Sequence, residues 1–180
     1  MYRYDDLKLR KFTFDDIPLK IKWINDAANN KYLHYDLPLE YQRTCQWFEQ
    51  NHDNPNRFDA VIEFEGVPVG LIGLLNIDRK NKKAEDYMVI GEAQFKGRGI
   101  ATRAGVLNAL MGFHVFGLNK IYAYTEVGNE RALALDLRRG FHVEGYLRHD
   151  LCMNGKMIDR FVMGLYKENF TTPSGVFWEE

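Results

Sequence analysis

The sequence predicts a single α/β domain, also describable as α+β, with about seven strands and about four helices. Segments that alternate in polarity and segments with helical periodicity follow one another in the order β-α-α-β-β-β-α-β-α-β-β. The chain of 180 residues contains no repeat, low-complexity tract or linker, and its 46% hydrophobic and 27% charged residues are ordinary for a folded domain. We therefore expect one domain over residues 1–180, with its core in 7–166 and a loosely held tail in 167–180.

The first third of the chain predicts one strand and two helices. Residues 7–13 (LKLRKFT) alternate in polarity, as a half-buried strand does. Residues 14–26 and 39–51 place apolar side chains at helical spacing. These side chains are Ile17, Ile21 and Ile24 in the first helix and Tyr41, Cys45 and Phe48 in the second. The polar and aromatic segment 29–38 between the two helices is typical of a loop.

Three strands and a long helix follow. Residues 57–64 and 67–78 predict a hairpin around Glu65-Gly66, and residues 84–92 (AEDYMVIGE) predict the next strand. A glycine-rich stretch then leads into a helix that extends to about Phe116. The buried stripe of this helix is predicted to be Ile100, Ala104, Leu107 and Met111.

The last third predicts three strands and one short helix. Residues 120–127 form a strand, and residues 129–139 form a helix that stops at a glycine. Residues 141–153 and 156–166 form a long hairpin around Asn154-Gly155, a dipeptide that favours a tight turn between strands.

Composition and short motifs exclude several classes of function. The net charge is −1, and the basic run 79–83 has no aromatic platform beside it, so we expect no nucleic-acid partner. Cys45 and Cys152 lack a partner at a metal spacing, and the histidines form no metal-binding pair, so we expect no metal. The first residues lack the apolar core of a signal peptide, and no apolar run approaches the ~18 residues of a membrane span. We expect a cytoplasmic protein with no membrane partner.

The stretch QFKGRGIATRA, residues 94–104, places two glycines and several positive charges at the start of the long helix. Free backbone N–H groups and the helix dipole at such a position attract anionic oxygens, and glycine lets a phosphate approach the backbone closely. A simple tight turn is the alternative interpretation. The stretch matches neither the P-loop nor the dinucleotide fingerprint. A second strand-helix unit thirty residues later favours a phosphate-bearing cofactor at the carboxyl ends of the two strands.

Three segments of the chain, taken in the order in which they occur, resemble motifs of the GNAT superfamily of N-acetyltransferases. The order of helices and strands over residues 7–166 is similar to that family as well. The family signature Gln/Arg-x-x-Gly-x-Gly/Ala maps onto residues 94–99 without a departure. Residues 84–92 are similar to the family's fourth strand, and residues 129–141 (NERALALDLRRGF) are similar to its N-x-x-A-x-x-L-Y-E-K-x-G-F segment. The branch it most resembles includes ribosomal-protein-alanine, spermidine and nucleotide-amino-sugar acetyltransferases.

The resemblance implies a mixed, twisted sheet that splays between its fourth and fifth strands, with acetyl-CoA as cosubstrate in the split. Pantetheine would hydrogen-bond to the fourth strand, and the pyrophosphate would bind the amides of the glycine loop. The implied cofactor-binding residues are Met88, Val89 and Ile90 on the strand, then Gln94, Phe95, Lys96, Gly97, Arg98, Gly99, Ile100, Ala101 and Thr102, and finally Asn129 on the pantetheine side.

The predicted catalytic residues are acids and hydroxyls near the split. An amine acceptor is mostly protonated at neutral pH, so a base that removes its proton is needed, and Glu85 and Glu126 are the candidates. The family usually has a tyrosine that protonates the leaving thiolate, but Asp136 stands at that position here. We interpret Asp136 as an exposed helix carboxylate whose catalytic role is a hypothesis, and Tyr124 is among the hydroxyls that could substitute for the tyrosine.

The predicted acceptor site is the loop 29–38, where Tyr32, His34, Tyr35 and Asp36 could bind an amine or a sugar. A surface loop that packs its aromatic side chains inward is the alternative. The predicted function is transfer of an acetyl group from acetyl-CoA to a small amine, an amino sugar or a protein N-terminus. A non-catalytic acyl-CoA-binding module is the competing hypothesis, and a homodimer is a possible assembly.

Overall fold

One mixed sheet organises the computed structural model, which describes residues 1–178. The strands within this range are β1 (Tyr2–Tyr4), β2 (Leu7–Lys11), β3 (Phe58–Phe64), β4 (Val67–Asp78), β5 (Lys83–Ile90), β6 (Lys120–Glu126), β7 (His142–Met153), β8 (Lys156–Tyr166) and β9 (Val176–Trp178). The α-helices are α1 (Ile17–Asn25), α2 (Ala27–Asn30), α3 (Tyr41–Asn51), α4 (Ile100–Leu110) and α5 (Glu130–Arg138). The spatial order of the strands is β7-β8-β6-β5-β4-β3-β2-β1-β9.

The predicted fold class is confirmed, and all seven expected strands and four expected helices are present. The strand predicted over 84–92 is β5. The structure adds β1 and β9, which pair with each other at one edge of the sheet, with Tyr2 opposite Trp178. The tail that we expected to be loosely held therefore contains a strand. The structure also adds the short helix α2 at the start of the segment predicted as a loop.

Helices cover both faces of the sheet. Helix α4 buries Ile100, Ala104 and Leu107, three positions of its predicted stripe, against residues of β2, β3 and β4. Helix α1 buries Ile17 and Trp23 on the opposite face, where α3 packs beside it. We call these two sides of the sheet the helix α4 face and the helix α1 face.

The sheet is split between β5 and β6, as predicted. The two strands are parallel and pair only at Lys83–Lys120, Ala84–Ile121 and Glu85–Tyr122. On its other side β5 pairs with β4 as far as Ile90, which lies opposite Gly70. Residues 86–90 therefore present one open edge to the space between the diverging strands.

Membrane spans and metal clusters are both absent from residues 1–178. No helix in this range is both long enough and apolar enough to cross a bilayer. Within the same range, no group of three or more His, Cys, Asp and Glu side chains is arranged to hold a metal ion.

Candidate active site

The glycine loop opens toward solvent at the start of α4. Gly97 has φ +80° and Gly99 has φ +74°, and a Cβ atom built on either residue would have no neighbouring atom within 4 Å. Gly99 is the N-cap of α4, so the first amides of that helix have no acceptor within the helix. Together these features form an open cradle of backbone donors at the positive end of a helix, which fits a pyrophosphate.

The basic side chains of the loop are fixed by neighbours. Lys96 Nζ donates to Asn29 Oδ1 at 2.5 Å, which ties the loop to α2. The guanidinium of Arg98 lies 5.0 Å from the ring centroid of Phe64 and 5.4 Å from that of Phe95. Both positive charges remain beside the cradle, where they add to the attraction for an anion.

The predicted pantetheine contacts lie along the open edge of β5. Met88 and Ile90 pack their side chains toward α4, and Val89 packs toward α1. Their side chains therefore point away from the split, which leaves the backbone to face it. The side chain of Asn129 accepts from the Ala132 amide at 3.2 Å and caps α5, a structural role that the sequence analysis did not assign.

The candidate bases lie on the helix α1 face, opposite α4. Alternation along the strands places Glu85 of β5 on this face, together with Tyr124 and Glu126 of β6. Asn76 Nδ2 donates to Glu85 Oε2 at 3.0 Å. Burial raises the pKa of Glu85, while Asn76 and the positive charge of Arg160 oppose that shift. Glu85 also lies in the last residue pair before β5 and β6 diverge.

The predicted acceptor loop reaches from α2 to the end of β6. Tyr32 Oη donates to the Gly128 carbonyl at 3.2 Å. His34 Nε2 lies 2.6 Å from Glu126 Oε1, so a predicted acceptor residue and a candidate base form one pair. The pKa of Tyr35 is raised by burial, whereas Asp36 is exposed. The loop thus packs part of its aromatic surface inward and presents the rest beside the split.

Tyr124 has an environment different from that of the acids. The residue is 37% exposed, and the guanidinium carbon of Arg160 lies 4.2 Å from its ring centroid. The Tyr122 ring contacts it edge to face, with centroids 5.7 Å apart. More than a third of Tyr124 is therefore exposed on the helix α1 face.

Asp136 is buried, and our interpretation of it as an exposed carboxylate is wrong. The residue is 7% exposed, because α5 presents it inward toward β6. Thr125 Oγ1 donates to Asp136 Oδ2 at 2.9 Å, and Arg139 contacts Oδ1 at 3.3 Å. Burial raises the pKa of Asp136, and Asp86 adds to this, while the charge of Arg139 opposes it.

Sequence reasoning did not identify the buried group around Arg139. This arginine forms two hydrogen bonds with Asp86, both at 2.9 Å, and a Cβ on Gly105 would lie 2.1 Å from its Nε. Gly105 in the middle of α4 was a signal that could have suggested a close approach, since glycine weakens a helix unless packing requires it.

A second buried charge lies under α1, next to the helix α1 face of the split. Lys20 is 4% exposed, and its Nζ lies 3.3 Å from the ring centroid of Trp47. Burial lowers the pKa of Lys20 to about 7, a shift that Asp59 opposes and Arg57 reinforces. Tyr87 donates to Asp59 at 2.5 Å, which connects this group to β5.

Comparison with known proteins confirms the family. The family described as Acetyltransferase (GNAT) domain matches residues 6–142. The chain belongs to the GNAT acetyltransferases, so it is an acyltransferase whose cosubstrate is acetyl-CoA.

Several similar proteins are named as spermidine acetyltransferases, which belong to the branch of the family that the sequence resembles. Spermidine N(1)-acetyltransferase of Escherichia coli K12 is 29% identical over 166 residues, which are 91% of this chain and 88% of that protein. The Vibrio cholerae protein of the same name is 32% identical over 145 residues, covering 77% of this chain and 83% of the relative. A crystal structure of spermidine N-acetyltransferase from Vibrio cholerae, in complex with CoA and spermine, shares the fold with a TM-score of 0.84 at 23% identity, covering 91% of this chain and 96% of that one.

Proposed function

We propose that the protein transfers the acetyl group of acetyl-CoA to a primary amine by direct attack on the thioester. The observation that supports this most strongly is the split sheet. It combines an unpaired edge at residues 86–90, an open glycine cradle at 97–99 and carboxylates on the helix α1 face. An extended cofactor and an approaching amine can therefore meet from opposite sides.

The residues at the split fit the parts of acetyl-CoA. Backbone groups of Met88 to Ile90 would pair with the pantetheine amides as a further strand does. The amides of 97–102, with Lys96 and Arg98 beside them, would hold the phosphates. Acetyl-CoA supplies the activated acyl group as a thioester, so the protein has to position it and manage protons.

Glu85 is our candidate for the base that accepts the amine proton. A raised pKa makes a carboxylate a stronger base at neutral pH, and burial raises the pKa of Glu85. Glu126 Oε1 already lies 2.6 Å from His34 Nε2 of the predicted acceptor loop. We therefore assign Glu126 to binding a cationic acceptor and not to accepting its proton. Tyr32, His34, Tyr35 and Asp36 stay our predicted acceptor residues.

The variant Glu85→Gln tests the role of the base. We expect kcat to fall by about 10²–10³, within the range of general acid–base catalysis, with acetyl-CoA affinity unchanged. Glu126→Gln is the matched control, because it removes a carboxylate from the same face, and it is expected to raise KM for the amine instead. An unchanged kcat in Glu85→Gln would assign the base elsewhere.

The acceptor that we favour is a linear polyamine. Two carboxylates on one face suit a molecule with several positive charges, and relatives at 29% and 32% identity are named as spermidine acetyltransferases. The test is CoA release measured with spermidine, glucosamine and a peptide with a free N-terminus, each at the same concentration. The largest kcat/KM with spermidine supports this acceptor, and a larger value with either of the others replaces it.

A non-catalytic acyl-CoA-binding module was the competing hypothesis, and the membership of the chain in an acyltransferase family argues against it. Binding of acetyl-CoA without CoA release for any acceptor would support this function. A cytoplasmic location and a homodimer also stay predictions, and light scattering at several protein concentrations tests the second.

A further inference from the structure

Lys20 lies among aromatic rings on the inner side of α1, and these rings come from three separate parts of the chain. Its Nζ lies 3.3 Å from the ring centroid of Trp47 in α3, 5.8 Å from that of Phe12 just after β2, and 5.7 Å from that of Tyr35 in the predicted acceptor loop. An ammonium group within about 6 Å of a ring centroid is attracted to the face of the ring. We call Phe12, Tyr35 and Trp47 the aromatic cage.

The burial of the Lys20 ammonium is costly for the fold. The residue is only 4% exposed, and an ammonium group removed from water loses most of its hydration. Asp59 is the carboxylate that favours protonated Lys20, but two other groups already bind it. Arg57 donates to both of its oxygens, at 2.5 Å and 3.0 Å, and Tyr87 donates to Oδ1 at 2.5 Å. The rings of the aromatic cage therefore supply much of the compensation that Lys20 receives.

Tyr35 and His34 attach the acceptor loop in two directions. The ring of Tyr35 lies against Lys20, whereas His34 Nε2 lies 2.6 Å from Glu126 Oε1 at the end of β6. Consecutive Cα atoms are about 3.8 Å apart, so a fixed Tyr35 leaves its neighbour His34 little freedom. The contact between Tyr35 and Lys20 thus keeps the imidazole beside Glu126, which we assign to binding the cationic acceptor.

The aromatic cage is also connected to the strand that carries the candidate base. Tyr87 of β5, which donates to Asp59, lies two residues from Glu85 and on the same face of the strand. Tyr87 packs against the same apolar cluster as two residues of the cage, Phe12 and Trp47. The cage therefore holds the acceptor loop at a fixed place relative to Glu85.

We propose that Lys20 is a positioning residue for the acceptor. Its ammonium, held in the aromatic cage, fixes Tyr35 and thereby the loop that presents His34 to Glu126 and to the incoming amine. This inference rests on the proposed function and adds to it the contact that orders the acceptor loop. It also gives the costly burial of Lys20 a role in the reaction.

The first measurement needs neither cosubstrate nor amine. Nitrogen-15 relaxation of the ligand-free protein gives backbone order parameters for residues 32–37. We expect about 0.85 in wild type, typical of a rigid backbone, and less than about 0.6 in Lys20→Met. Burial lowers the pKa of Lys20 to about 7, so pH 6 is used, where the ammonium form predominates. The control Lys22→Met removes a more exposed charge of α1 and is expected to leave the loop ordered.

The second measurement is steady-state kinetics with spermidine at pH 6. Lys20→Met is expected to raise KM for spermidine about fivefold to tenfold, with kcat and acetyl-CoA affinity unchanged, because the cage acts on the acceptor loop alone. Tyr35→Leu is expected to raise KM by a similar factor, and Tyr35→Phe, which keeps the ring, by a smaller one. The double variant Lys20→Met/Tyr35→Leu is expected to add little to either single change, because both remove the same contact.

Stability separates positioning from a purely structural role. Replacing a buried charge with an apolar side chain of similar length relieves the cost of burial, so Lys20→Met is expected to unfold at a urea concentration no lower than wild type at pH 6. A raised KM in a protein of undiminished stability supports the proposal. A loss of stability with equal losses of kcat and acetyl-CoA affinity would assign Lys20 to the fold alone and overturn it.

The outcomes separate this inference from the proposed function. Wild-type KM or unchanged order parameters in Lys20→Met overturn the inference while the function stands, and so do additive effects in the double variant. If the wild-type protein releases no CoA with any amine, the proposed function fails, and the order parameters alone decide whether Lys20 holds the loop. If Lys20→Met does not fold, Tyr35→Leu decides, because a wild-type KM in that variant contradicts the proposal.

Discussion

Gly99 illustrates how single residues shape the proposed cofactor site. Its φ of +74° is a conformation that residues with a Cβ rarely adopt, and a Cβ built there would meet no other part of the protein within 4 Å, its chain neighbours aside. The glycine therefore serves two requirements at once, a backbone conformation and free space for a ligand. Sequence reasoning identified the second requirement from the Gly-x-Gly pattern, and the structure adds the first.

The variant Gly99→Val is expected to remain folded and to lose binding of acetyl-CoA. The positive φ costs about 1–2 kcal/mol for a residue with a Cβ, and the branched side chain fills the cradle. Gly66→Val is the matched control, since Gly66 has φ +77° and equally open surroundings in a turn between β3 and β4. Thermal unfolding with and without acetyl-CoA measures both effects, and a retained stabilisation by acetyl-CoA in Gly99→Val would place the phosphates elsewhere.

Asp136 shows what local sequence could not predict. The stretch LALDLRR has two arginines close by, so a solvated helix charge was the ordinary expectation. Only the three-dimensional fold brings Asp86 and Thr125, from two different strands, to the same side of α5. Burial of a charged group depends on partners distant in sequence, and a periodicity argument contains no information about them.

At the scale of elements, the site depends on the two unequal edges of β5. One edge pairs with β4 along its length, and the other pairs with β6 over three residue pairs only. Alternation along AEDYMVIGE places Glu85 on one side of this strand and Asp86 on the other. The strands β1 and β9 were not predicted, because three residues are too few to show a period of two.

Helix α3 also shows where prediction from apolar spacing fails. Tyr41, which was predicted for the inner face, is 53% exposed, while Thr44 is buried. Phe48 and Cys45 do pack against the core. Apolar spacing predicted the helix but placed its inner face incorrectly at the first turn, where one residue rotates the face by about 100°.

The loop from Tyr32 to Asp36 is held across the split by two contacts with the end of β6. The variant His34→Ala removes the contact with Glu126 at 2.6 Å and is expected to raise KM for the amine roughly tenfold, a loss of about 1.4 kcal/mol. The affinity for acetyl-CoA is expected to stay constant. Steady-state kinetics with the best acceptor measures this, with His52→Ala at the exposed end of α3 as control. Equal KM values in all three proteins would remove the loop from the acceptor site.

At the scale of the whole molecule, the fold tolerates buried charge on both sides of its split sheet. Asp86, Asp136 and Arg139 form buried ion pairs on the helix α4 face, and Lys20 lies on the helix α1 face against Trp47. A lysine on an amphipathic helix is normally exposed, so nothing in the sequence indicated its burial. Buried charges of this kind cost stability unless they are well paired.

Lys20 is expected to make stability depend on pH. Its pKa of about 7 in the folded protein lies below the value of about 10.4 in an unfolded chain. Between these values the unfolded chain binds more protons, so the contribution of Lys20 to stability rises with pH, by up to about 1.4 kcal/mol per pH unit. The penalty is complete below pH 7.

The variant Lys20→Met isolates this effect. We expect it to be more stable than wild type at pH 6 by about 1–4 kcal/mol, with the difference shrinking as pH rises above 7. Urea unfolding at pH 6, 7, 8 and 9 measures the difference, and Lys22→Met on the exposed side of α1 controls for loss of a charge. A difference that does not change with pH would mean that Lys20 stays protonated throughout.

A crystal structure of the protein with CoA tests the central claim, that the split between β5 and β6 is the cosubstrate site. We predict pantetheine along residues 88–90, phosphates against the amides of 97–102, and the thioester end of the cofactor close to Glu85. CoA bound instead in the cavity of about 310 Å³ that Trp47, Arg57 and Phe116 help to line would contradict the claim, and so would phosphates held away from Gly97 and Gly99.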